Sequence, residues 1–459
     1  MDYNEALRYL YSFTDYEKKT SYAYSDEGFD LRRPTELLAL LGNPHTRFPS
    51  VLVAGTKGKG STSAMIASIL QATGARVGLY SQPHLHSFRE RIRMNGRPIG
   101  RWELAEAMEA VVPAVEKLRR TRPELGSPTT YEIATVVAMH HFARLEPDLV
   151  VLEVGLGGRL DTTNVANPLM SVITPVSLDH VQILGNTIAQ IAAEKAGIIK
   201  ERGVVVAADQ TEEAMGVIRR VASERGARLV VARPEMVEVP AKAPVEPIGE
   251  GEAARPRREH TRVALRGPSG AIYRFDLPLL GAHQVANAAT AIAVVEELSR
   301  NGFSIGREAV ERGLGQVRWP GRLEVVRRDP LVVVDGAHNG DSATKLAAAL
   351  RENFIYRRLI LVLGTSADKD VEAIASALAP EAAVVVATRS RHPRAANPDR
   401  IAAALSGDLC PQVEVARDFT SAIGLATALA APGDLICVTG SLFIVADARD
   451  HYGLAEERD

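Results

Sequence analysis

Short runs rich in Val, Ile and Leu recur along the chain, separated by longer stretches rich in Ala, Leu and Glu. The runs at 50–53, 148–153, 171–174, 203–207, 331–335, 359–364, 383–387 and 434–439 are apolar almost without alternation. A strand with one face in water alternates, whereas an unbroken apolar strand needs cover on both faces, as in a parallel sheet wrapped by helices. The stretches 63–72, 103–118, 287–299 and 342–351 fit the crossover helices between them. The pattern predicts an α/β fold with a mainly parallel sheet, built twice.

Two stretches interrupt the alternation. Residues 232–258 are rich in Pro, Glu and Ala, and predict an extended insertion or exposed loop. Residues 315–322, GQVRWPGR, carry Pro and Gly just before a new set of strands. They predict a domain boundary that divides the chain into 1–318 and 322–459.

The chemistry collects where predicted strands end. The run 50–53 leads into Gly55-Thr56-Lys57-Gly58-Lys59-Gly60-Ser61-Thr62, with a helix predicted from about Ser63. Glycines let backbone amides converge on phosphate oxygens, and a helix N-terminus adds its positive end. Lys59 can reach terminal phosphates, and a hydroxyl of Ser61 or Thr62 can approach a metal. The spacing is not the strict GxxxxGK[ST], because Gly60 separates Lys59 from Ser61. Glu153 closes the next strand, before the loop GLGGRLD, and His180 follows the strand at 171–174. Ligands of parallel sheets bind outside the carboxyl ends of strands, so Glu153 and His180 are candidate metal ligands. Lys195 shares one face of a predicted helix over 187–199 with Ile188, Ile191 and Ile198. Such a lysine either snorkels outward or is an active-site group, with carbamylation one way to remove its charge. In the second half, Asp335 and His338 lie at the end of 331–335, and Arg322 offers a cation at the boundary.

Composition narrows the class. Lys and Arg total 54 against 56 Asp and Glu, which speaks against a nucleic-acid binder. Two cysteines, Cys410 and Cys437, form no metal or disulfide framework. No apolar run approaches the roughly 20 residues of a membrane span. The N-terminus carries no secretory signal pattern, so the expected compartment is the cytoplasm.

Taken together, GNPHTRFPSVLVAGTKGKGST, SQPHLHSFRERIRMNG, LEVGLGGRLDTTN, ITPVSLDHVQILGNTIAQIAAEKAGIIK, LLGAHQVANAATA, WPGRLE, VVVDGAHN, ADKD and VTGSLFIVADAR resemble, in order, the folylpolyglutamate synthases and bifunctional dihydrofolate/folylpolyglutamate synthases of the Mur ligase superfamily. The resemblance implies a P-loop central domain with a smaller Rossmann-like C-terminal domain. It implies ATP-dependent addition of L-glutamate to folates, and to dihydropteroate, through an acyl phosphate; the alternatives are either activity alone or a P-loop ATPase of another class. Carried over by motif, Gly55 to Thr62, Asn287, Arg322 and Asp335 would contact ATP, with Lys59, Lys195 and His338 in the chemistry. Glu153, His180 and Ser61 would serve two Mg2+ ions, and Lys195 would be carbamylated. The family usually has Ser where this chain has Gln82; the Gln82 carbonyl, Ser81 or a water would take its place. Tyr131, Asp161 and Gln82 would lie on the pterin side, and His338 and Ser441 on the glutamate side. The implied partners are small molecules, with no nucleic acid or membrane, and the implied state is a monomer.

Overall fold

The protein is described by a computed structural model covering residues 1–18, 29–238, 248–249, 251–405, 410–455 and 457–459. It contains two large sheets. The first has eight strands in the order Arg97–Pro98, Ile92–Met94, Val77–Tyr80, Leu149–Glu153, Ser50–Ala54, Met170–Ile173, Val204–Ala208 and Arg228–Ala232. The last six run parallel, and the first two turn back antiparallel. The apolar runs are explained by two-sided cover. Leu52 and Ala54 enter the core on one face, with Tyr80 and Phe142, while Val51 and Val53 enter the other, with Met65 and Ile66.

The second sheet has the order Glu324–Arg328, Leu331–Val334, Leu435–Thr439, Leu359–Leu363, Val384–Ala387 and Val413–Val415. Only its first pair is antiparallel. Val333 and its neighbours Val332 and Val334 again point into separate cores on opposite faces. Among the described residues no helix is long and apolar enough to cross a membrane.

Three local expectations change. The helix after the first strand spans Lys59–Ala72, so it starts four residues earlier than predicted and takes Lys59 to Thr62 into its first turn. The helix carrying Lys195 is shorter than predicted, Ile188–Ala196. The stretch 232–258 is not one loop. Glu235–Glu238 joins a three-stranded sheet with Thr261–Arg266 and Ile272–Leu277, and Arg255–Pro256 pairs with Phe354–Ile355. Its residues 239–247 and 250 lie outside the described residues. The chain passes between the two large sheets through 317–323, after the helix Arg307–Gln316. The Arg255–Pro256 pairing, and Ala254 in the core beneath the second sheet, carry a piece of the earlier chain across that line.

Candidate active site between the two sheets

Both large sheets present strand carboxyl ends to one cavity of about 530 Å³. In the first sheet Ser50–Ala54 is flanked by Leu149–Glu153 and Met170–Ile173, so the connections leave it in opposite directions. A crevice forms at such a point. Gly55 to Ser61 line it. Thr62 does not; it is fully buried, and its hydroxyl has no hydrogen-bond partner among the described residues. Of the two hydroxyls, Ser61 therefore faces the site.

The loop is held from behind. The amides of Thr56 and Lys57 donate to the Pro175 carbonyl at 3.0 and 3.1 Å. The Lys59 ammonium folds back onto the Gly55 carbonyl at 3.0 Å. Gly58 caps the helix with φ of 81°, and a Cβ there would stand 2.3 Å from Asn287 Oδ1. Asn287 is fixed by donating to Gln284 Oε1 at 3.0 Å. A Cβ on Gly60 would lie 2.9 Å from Trp319 Nε1, so the residue that breaks the strict motif makes room for the indole. The amides of Lys59, Gly60 and Ser61 precede the first intrahelical bond, from Thr62 to the Gly58 carbonyl at 2.8 Å, and give the cavity floor a positive end.

Glu153 is 3% exposed and lines the cavity. Burial pushes its carboxyl up to about 7, against the opposing pull of Lys59. Among the described residues its one side-chain hydrogen bond, from the Gln82 backbone N–H, is long at 3.4 Å. Burial holds the His180 imidazole neutral, with its pKa down at about 3. Lys195, 4% exposed, also lines the cavity, and its ammonium makes no hydrogen bond or ion pair among the described residues. Burial and then Lys59 bring it down to about 7. Of the two readings of Lys195, snorkelling to solvent is thus excluded by its burial.

Asp179, absent from the sequence candidates, joins the two halves. Its carboxylate pairs with Lys57 and Lys369, each at 3.0 Å, and lies 3.5 Å from His338 Nε2. The carboxyl is held well below its usual range by the Lys57 and Lys369 charges in spite of burial. Asp335 accepts from the Leu323 and Ala337 amides, both at 2.9 Å, tying the crossover segment to the second sheet. Arg322 and Asp335 both line the cavity.

Tyr131 donates to Asp161 at 3.0 Å and accepts from Gln82 Nε2 at 2.8 Å, and all three line the cavity. Asp161 also accepts from the amides of Gly155, Leu156 and Thr163 and from the Thr163 hydroxyl. Its lone pairs are spent on shaping its own loop. Ser441 does not reach the cavity: its hydroxyl donates to the Gly364 carbonyl at 3.0 Å and caps Leu442–His451. The cavity wall adds residues that were not among the candidates. His283, Lys345, Leu346 and Ala349 come from two helices, and Tyr16, Glu17, Phe29, Arg394 and Phe443 from segments far apart in sequence.

Residues 53–295 match the Mur ligase middle domain, and 321–442 match the Mur ligase glutamate ligase domain. The chain is 35% identical over 448 residues to the dihydrofolate synthase/folylpolyglutamate synthase of Bacillus subtilis, covering 95% of this chain and 99% of that protein. It is 37% identical over 455 residues to a probable bifunctional folylpolyglutamate synthase/dihydropteroate synthase of Halobacterium salinarum, covering 98% of this chain. It spans about half of that relative, 52%. The Mycobacterium tuberculosis folylpolyglutamate synthase complexed with ADP superposes with a TM-score of 0.86 at 32% identity, over 99% of each chain. By these matches and by its fold, the chain belongs to the folylpolyglutamate synthase and dihydrofolate synthase family of Mur ligases.

Proposed function

We propose that the chain is an ATP-dependent ligase that joins L-glutamate to the carboxylate of a folate, and of dihydropteroate. The observation that carries this reading is the phosphate loop, with Glu153 and Lys195, facing Asp335 and His338 across one cavity. In the proposed reaction a substrate carboxylate oxygen attacks the γ-phosphorus of ATP and ADP leaves. The amine of glutamate then attacks the acyl carbon, loses a proton, and phosphate departs. Lys59 and the first-turn amides would hold the phosphates, and Lys57 would add a second cation to them. Asn287, Arg322 and Asp335 would hold the nucleotide. His338 would accept or orient a proton near the attacking amine. Holding three reactants in one cleft supplies much of the acceleration expected of such an enzyme.

The residues also fit Mg2+. Glu153 is a buried carboxylate with little local neutralisation, and His180 is a neutral imidazole on the same wall. Among the described residues no three carboxylate, imidazole or thiol groups close a metal cage. That suits an ion that keeps waters and takes the rest of its shell from phosphate oxygens. Glu153, His180 and Ser61 would hold it, with the Gln82 carbonyl as a further donor. When bound, it would neutralise charge on the transferring phosphoryl group. Carbamylation of Lys195 would convert the unpaired amine into an anion beside the cation Lys59. The chain is proposed to act as a monomer.

The test is ADP release from purified protein with ATP, Mg2+ and L-glutamate, with dihydropteroate, tetrahydrofolate or neither. Turnover with both pterins is expected. Turnover with one alone assigns a single activity, and ADP release that ignores the pterin overturns the reading.

A further inference from the structure

Arg394 lies in the loop between the strand Val384–Ala387 and the helix Pro398–Ala404, and its side chain lines the cavity. Its backbone is pinned. Its amide donates to His392 Nδ1 at 3.2 Å, and its carbonyl accepts from Ala367 at 2.8 Å. The His392 ring stacks on Phe443, with centroids 3.6 Å apart and planes within 8°. The guanidinium is the opposite. Among the described residues it makes no hydrogen bond or ion pair, and its buried Nε has no partner at all. The carboxylate that acts on it through space, Glu17, is already committed, because its two oxygens accept from Arg91 at 2.8 and 2.6 Å.

The guanidinium stands on a cavity wall with its Nε buried and unpaired, so an anion that fills its fork would satisfy a donor the fold leaves open. The planar fork matches a carboxylate through two parallel hydrogen bonds. The phosphate loop belongs to the Lys59 wall, on the other sheet. Resting on the ligase reading above, we infer that Arg394 anchors a substrate carboxylate that is not the one activated, and so sets specificity for a dicarboxylic substrate. Two sources share that chemistry: the incoming L-glutamate, and the α-carboxylate on the glutamyl tail of a folate.

The experiment compares wild type with Arg394→Met and Arg394→Lys. It reads KM for L-glutamate and for each pterin by ADP release, and calorimetric binding of L-glutamate and tetrahydrofolate without turnover. Arg394→Met is expected to raise one of these KM values at least tenfold with a smaller change in kcat, and Arg394→Lys to recover part of it. A raised KM for glutamate with both pterins assigns the incoming amino acid. A raised KM for tetrahydrofolate, with dihydropteroate unchanged, assigns the tail that dihydropteroate lacks. Unchanged binding and KM, or a fall in kcat alone, overturns the inference while the ligase reading stands. Absence of wild-type turnover overturns the ligase reading instead, and the calorimetry still decides whether Arg394 binds a carboxylate. If Arg394→Met does not fold, Arg394→Lys is read by the same titrations; it overturns the inference where it binds both ligands as wild type does.

Discussion

Lys57 Nζ and His338 Nε2 stand 3.2 Å apart across the cleft, although 281 residues separate them in sequence. One comes from the phosphate loop of the first sheet and the other from the strand end of the second. The His338 Nδ1 atom lies 2.8 Å from the Gly336 carbonyl, an acceptor only, so Nδ1 carries the ring proton. Nε2 is therefore the lone pair that accepts from Lys57. Burial and the Lys57 charge together hold the imidazole below its ordinary range and keep it neutral. In the proposed reaction a neutral Nε2 at the seam of the two halves would be free to take a proton if Lys57 turned to a phosphate.

Asp179 is the anion that lets Lys57 and Lys369 gather beside His338. Its side chain is 10% exposed, and those of Lys57 and Lys369 are 15% and 13%. Removing one partner of a buried ion pair leaves the others uncompensated, at about 3 kcal/mol. Asp179→Asn is expected to lose about that much in urea unfolding without nucleotide. ATP should return part of the loss, because its phosphates give the lysines another anion. A variant as stable as wild type in both conditions would show that the cluster is solvated.

Gly60 poses two opposed effects. On helix propensity alone, Gly60→Ala gains about 1 kcal/mol, since Gly60 lies inside Lys59–Ala72. The added methyl would, however, stand 2.9 Å from Trp319 Nε1 and 3.0 Å from Cζ2. Overpacking of that kind costs about 1–3 kcal/mol, so the net change is expected to be destabilising. Trp319→Leu should relieve it, and a double-mutant cycle should report a coupling of about 1 kcal/mol or more. Additive single changes would mean that the indole moves aside at no cost.

The same pair shows what the sequence could and could not disclose. Apolar runs without alternation located the strands, because burial on both faces leaves a direct imprint on composition. The helix start at Lys59 was hidden, because Gly58 and Gly60 are poor helix formers that tertiary contacts with Asn287 and Trp319 demand. The strands Glu235–Glu238 and Arg255–Pro256 were hidden by a composition that suits edge strands as well as loops. Glu153 and His180 were visible as candidates because they follow strand ends, and Lys195 because it breaks an apolar helix face. Asp179 and Arg394 were not, since a single charge in a polar loop acquires meaning only when two sheets bring distant loops together. Ser441 shows the converse: motif position placed it at the site, while its hydroxyl is spent on the Gly364 carbonyl and its own helix cap.

Lys195 makes a chemical prediction. A buried amine brought down to about 7 is substantially neutral near that pH, and its nitrogen can attack CO2, forming an N–C bond and releasing one proton. Protein incubated with carbon-13 bicarbonate is expected to show a bound carbamate carbonyl resonance that Lys195→Gln lacks. Turnover in CO2-free buffer should fall severalfold and return on adding bicarbonate. No carbamate signal at saturating bicarbonate would leave Lys195 acting as the free amine.

Acid stability should report the ion pair beneath the cavity. Arg91 is 6% exposed and donates to both Glu17 oxygens and, through Nε, to His84 Nδ1 at 2.8 Å. Burial pushes the Glu17 carboxyl up, but the Arg91 charge and hydrogen bonds prevail and bring it down from 4.5 to about 2. A carboxyl lowered on folding binds its proton more readily when unfolded. Its contribution is therefore complete above pH 4.5 and is lost progressively as pH falls toward 2. Wild type is expected to lose more stability than Glu17→Gln across that window, with the two curves parallel above it. The Glu17 side chain is 38% exposed, so added salt should narrow the difference. Parallel curves through the whole acid range would mean that Arg91 draws its compensation from elsewhere.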